Sequence, residues 1–77
     1  MNPQAVWNKM LDAAESGDWN KAGEHAESLL AWMQRNGFPP IVIPDHPMND
    51  DWNGVLATVA CQFVITRQVE LDSHDGQ

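Results

Sequence analysis

The stretch Gly17-Asp18-Trp19-Asn20-Lys21-Ala22 decides how the first half of this 77-residue chain folds. Gly17 can enter the left-handed conformation that ends a helix. Asp18 can cap the next helix by accepting hydrogen bonds from the free amides of its first turn. The stretch therefore reads as a tight joint between two helices, and the residues on either side agree. Upstream, Val6, Trp7, Met10, Leu11 and Ala14 recur at helical spacing, so a first helix is expected from Pro3 to Ser16, with Asn2 as its cap and Pro3 in the first helical position. Downstream, Trp19, Ala22, Ala26, Leu29, Leu30 and Met33 form the apolar face of a second helix, expected from Trp19 to about Asn36. Its small residues Ala22, Gly23 and Ala26 allow a neighbouring helix to approach closely. Gly37 is expected to end it, with Phe38 folding back onto Met33, and Pro39-Pro40 forbids continuation.

Beyond this hairpin, Ile41 to Met48 reads as a proline-rich extended connector that drops its apolar residues onto the core; a single edge strand at Ile41–Ile43 would lack a partner. A third helix is expected from Asn49 or Asp50, where Asn49, Asp50 and Asp51 are candidate caps and the helix dipole favours negative charge. It should fade between Arg67 and Glu70, and the β-prone run Phe63-Val64-Ile65-Thr66 leaves helix or strand open there. The fold class is thus all-α: a single domain over residues 1–71, a helical hairpin plus a longer third helix, with residues 72–77 as a disordered polar tail.

The third helix carries two apolar stripes. Trp52, Val55, Leu56, Val59, Ala60, Phe63 and Thr66 are assigned to the hairpin as the main face. Ala57, Cys61, Val64, Gln68 and Leu71, at spacings of 4, 3, 4 and 3, form a second, heptad-like stripe on the opposite side. Trp32 lies on the flank of the second helix and is expected to pack on the Ile41–Ile43 strap. Trp32, Ala57, Cys61, Val64 and Leu71 are therefore the candidate interaction residues, and a homodimer with Cys61 near its two-fold axis is the expected partner arrangement. Binding of a different protein through Trp32 and the third helix is the alternative.

Composition narrows the remaining classes. Four Lys and Arg against eleven Asp and Glu leave a net charge of −7, a surface that repels nucleic-acid phosphates and anionic lipid. A single cysteine allows no internal disulfide and fits a reducing cytoplasm. No basic-then-apolar leader begins the chain, and no apolar run approaches the ~20 residues of a membrane span. His25, His46 and His74, with nearby Glu24, Glu27, Asp45, Asp50 and Asp51, could offer metal ligands, but their spacing matches no metal motif. Cys61 sits among apolar residues, which disfavours a thiolate nucleophile. Asp45-His46 lacks a presented serine, and Gly17, Gly23, Gly37, Gly54 and Gly76 are too scattered to cradle a phosphate. Neither a catalytic site nor a cofactor is expected, and the reading is a non-enzymatic, self-associating module.

The joint also resembles the inter-helix turn of a tetratricopeptide repeat, in which a Gly-Asp-aromatic turn precedes a small Ala: Trp19 holds the aromatic position and Ala22 the small one. The resemblance covers residues 6–34, a single hairpin. Met10 stands where the family has a small glycine, Gln34 where it closes with proline, and the third helix does not repeat the pattern. The resemblance implies a helical hairpin and nothing about ligands, because one hairpin cannot build the concave groove of such arrays.

Overall fold

The computed structural model describes residues 1–75 and consists of three helices: α1, Pro3–Glu15; α2, Trp19–Gln34; and α3, Asp50–Asp75. Asn2 caps α1 by accepting a hydrogen bond from the Ala5 amide at 3.2 Å. At the joint, Gly17 has φ +80°, its amide donates to the Ala14 carbonyl, and the Asp18 amide donates to the Ala13 carbonyl at 2.9 Å. These two bonds complete a Schellman ending. The same Asp18 then caps α2, its carboxylate accepting from the Lys21 amide at 3.1 Å. One residue thus ends one helix and starts the next, and the chain reverses within Ser16–Asp18.

The α2 terminus differs from expectation by one residue. Asn36, with φ +66°, takes the left-handed position, and the amides of Asn36 and Gly37 donate to the Met33 and Trp32 carbonyls. Gly37 is required for a different reason: a Cβ there would run into the Trp32 indole. Phe38 packs edge-on against Trp32, ring centroids 5.7 Å apart, and lines one groove with Met33.

The α2 helix is central, with α1 against it on one side and α3 on the other. The α3 helix runs antiparallel to α2. Phe63 and Arg67 meet Trp19 at the start of α2, and Gln68 lies on Gly23, while Val55 and Val59 face Met33 near its end. Trp7 and Met10 of α1, Ala22, Ala26 and Leu29 of α2, and Ala57, Cys61 and Val64 of α3 form one buried cluster. Small residues on both α2 and α3 let these helices pack closely, and Trp7, Met10 and Leu29 occupy the volume that remains.

The connector has no regular secondary structure, bends across residues 42–46 instead of running extended, and is tied down at both ends by carboxamides. Gln4 accepts from the Ile41 amide at 2.8 Å and donates to the Ile41 carbonyl. Buried Asn53 accepts from the Val42 amide and donates to the Met48 carbonyl. A turn, with the His46 amide donating to the Ile43 carbonyl, folds the segment between these anchors. Asn49 is the cap of α3, accepting from the Trp52 amide at 3.0 Å. Residues 63–70 are helical, and α3 continues through Asp75, past the expected fading point and into the segment expected to be a disordered tail. Residues 76 and 77 of that segment lie outside the described residues. The β-prone run stays helical because Val64 is buried against the hairpin and Gln68 reaches the Asn20 carbonyl at 3.5 Å; tertiary packing overrides local propensity.

Candidate functional site

The α3 helix is apolar on two faces, and the structure reverses the assignment read from sequence. Ala57 and Cys61 are fully buried and Val64 nearly so, so three of the residues expected at an interface form the inner face against the hairpin. Leu71 alone of that stripe remains exposed, on the part of α3 beyond the end of the hairpin. The physical reason is size. Between Trp19 and Met33 the α2 surface that packs with α3 carries the small residues Ala22, Gly23 and Ala26, and at that short separation only small and medium side chains fit between the two backbones.

The large residues consequently face outward. Trp52 is 60% exposed, Val55 56%, Val59 58% and Phe63 61%. They follow one another at intervals of 3, 4 and 4 residues and lie in a row along one side of α3. Phe63 is the best supported of them, with an edge-on contact to Trp19 at 6.3 Å between centroids; the Arg67 guanidinium lies over the same indole at 5.7 Å. Beside the stripe, α3 and the end of α2 enclose an open groove of about 700 Å³ lined by Met33, Phe38, Pro39, Val55 and Val59, with Asp50 and Asp51 at its acidic end.

Trp32 is half-buried and its polar atom is already engaged: the indole N–H donates to the Phe38 carbonyl at 2.8 Å. It packs on Gly37 and Phe38, and so braces the turn that forms one wall of the groove.

The chemically reactive groups are dispersed. Cys61 points into the core, its sulfur 3.9 Å from the Met10 sulfur, and burial pushes its thiol up to about 11. A thiol so placed is protonated at neutral pH and is a poor nucleophile. Among the described residues, no three His, Cys, Asp or Glu side chains converge as a metal site would require. A second concavity of about 490 Å³ brings Lys9, Lys21 and His25 together with Asp12, Asp18 and Ser16. Its two carboxylates balance its two lysines, so it has little pull on an anion. No helix among the described residues is long and apolar enough to cross a membrane.

Sequence reasoning missed two groups of residues. Gln4 and Asn53, which anchor the connector, carry no periodicity signal; only folding brings Gln4 to Ile41, 37 residues away in sequence. The outward stripe was visible as a pattern but assigned to the wrong side. No protein-family model, no curated protein and no solved structure matches the chain.

Proposed function

We propose that this protein is a non-enzymatic interaction module that pairs with a second copy of itself through the outward face of α3. The observation that carries this reading is the row Trp52, Val55, Val59 and Phe63, four large apolar side chains each more than half exposed on a single helix. Together with Phe38 across the groove they present on the order of 500 Å² of apolar surface, at the upper end of what monomers leave in water. A standard interface takes about 800 Å² from each partner, so the stripe and its polar flanks suffice for a two-fold contact. A 77-residue chain also gains more than a larger one from covering such a surface, because its own core is small.

Light scattering tests it. The protein should be a dimer at micromolar concentration with a melting temperature that rises with concentration, and Phe63→Asp should give a folded monomer. A wild-type chain that stays monomeric at millimolar concentration would overturn self-association and leave a different protein partner as the reading.

A further inference from the structure

The outward row of α3 has a spacing that reads the same in both directions. Trp52, Val55, Val59, Phe63 and Thr66 are separated by 3, 4, 4 and 3 residues, with Val59 at the centre. From this we infer that two copies pair with their α3 helices antiparallel and the two-fold axis passing beside Val59. This rests on the self-association proposed above and specifies its orientation and register.

Three arguments favour antiparallel over parallel pairing. The first is register. Reversing a helix about Val59 puts Val55 opposite the partner's Phe63 and Trp52 opposite the partner's Thr66, so every member of the row meets another member.

The second is volume. Antiparallel pairing sets the largest side chain, Trp52, on a small one, and Phe63 on a valine, so large and small alternate across the contact as close packing requires. A parallel two-fold would set Trp52 on the partner's Trp52 and Phe63 on the partner's Phe63. It would also set Val55 on the partner's Val55, crowding the contact at two levels and leaving it thin at the others.

The third is charge. Asp50 and Asp51 stand at the first turn of α3, in a protein of net charge −7. Parallel pairing would bring four such carboxylates, and the like ends of two helix dipoles, to one end of the interface. Antiparallel pairing separates the two acidic ends by the length of the contact. It also brings each of them towards the end of the partner that carries the exposed Arg67, with Glu70 one turn further on.

The arrangement leaves a clear place for the excess length of α3. At 26 residues it outruns α2, which has 16. Beyond Gln68, which lies on Gly23 near the start of α2, it projects past the hairpin with Val69 and Leu71 exposed. In the antiparallel dimer this projection runs alongside the partner's connector, past Asn49 and Met48. It brings Val69, on the flank of the outward row, to that contact, whereas Leu71 belongs to the opposite stripe and stays outside it.

Disulfide trapping distinguishes the arrangements. Val55→Cys and Phe63→Cys are made as separate single variants, one carrying a size tag, and exposed to a mild oxidant alone and mixed. Native Cys61 can stay, since it is buried and its thiol is protonated at neutral pH. Antiparallel pairing predicts that neither variant links to itself, because like positions lie about 12 Å apart along the helices, beyond the reach of a disulfide. The mixture should give the tagged heterodimer. Trp52→Cys mixed with Thr66→Cys should behave the same way, which guards against one variant failing to fold. Self-linking of Val55→Cys and of Phe63→Cys, in a protein that scatters as a dimer, would overturn the antiparallel register while leaving self-association standing. A dimer in which neither mixture links overturns it as well. A monomer by light scattering overturns both.

Discussion

The α1–α2 hairpin and the α3 helix differ in how firmly their sequences dictate their surroundings. Each hairpin helix has one apolar face, so hydrophobicity alone decides which side turns inward. On α3 both sides are apolar, hydrophobicity has almost no preference, and the choice falls to steric fit against Ala22, Gly23 and Ala26. A helix of the first kind folds into a core, whereas one of the second kind keeps a hydrophobic side for something else. The test with the largest expected effect sets the two sides of α3 against each other. Ala57→Asp places a carboxylate where nothing is exposed and should unfold the chain, at a cost of several kcal/mol against a total stability of similar size. Val59→Asp, two residues along and on the other side, should leave the fold intact by circular dichroism while abolishing the proposed self-association. Equal tolerance of both substitutions would mean that the inner and outer faces are wrongly assigned.

The hairpin has its own weak point, which involves no packing. A Cβ at Gly17 would meet nothing within 4 Å, yet its φ of +80° is one that a β-branched side chain resists. Gly17→Val should therefore lower stability by about 1–3 kcal/mol, and Gly17→Ala by less, although neither removes a contact. Chemical denaturation resolves the difference. Equal losses for the two variants would mean that β-branching adds nothing to the cost of the left-handed conformation.

Much of this architecture was legible in the sequence, for identifiable reasons. The joint is local: Gly17 and Asp18 act on residues within five positions, and their signal survives without knowledge of the rest. The caps Asn2 and Asn49 are local in the same way. The orientation of α3 is not, because it depends on how closely α2 lets a neighbour approach. The small residues on α2 were the available clue. They pointed to close approach, but were not matched to the small stripe of Ala57, Cys61 and Val64. The helical state of residues 63–70 was hidden for a related reason, since their β-branched composition is outweighed by burial of Val64 and the Gln68 contacts.

Cys61 gives a smaller, reversible readout of the same inner face. Burial raises its pKa to about 11 in the folded protein from an ordinary value of 9.0. The folded state therefore holds the thiol proton more tightly than the unfolded state does. Between those two values the unfolded chain loses the proton first, so stability should fall as pH rises above about 9, and be unaffected by this group below it. Alkylation at pH 8 should be slow in the native protein, fast in denaturant, and, well below the melting transition, independent of protein concentration. If dilution accelerated it, Cys61 would lie between subunits instead of inside one.

The smallest expected effect concerns the far end of the hairpin, where two adjacent residues divide the work that glycine usually does alone. Asn36 adopts the left-handed conformation at φ +66°, which asparagine tolerates and glycine accepts without strain. Gly37 provides the empty space that the Trp32 ring occupies, and through it the position from which the indole N–H reaches the Phe38 carbonyl. Asn36→Gly should therefore be neutral or stabilise by up to ~0.5 kcal/mol, because relief of the left-handed conformation is partly offset by the greater freedom of an unfolded glycine. Gly37→Ala should destabilise, because the added methyl group forces Trp32 off Phe38, and the change should appear in the tryptophan fluorescence of the folded state. If the two substitutions exchanged effects, Gly37 would be the left-handed residue and the Trp32 contact incidental.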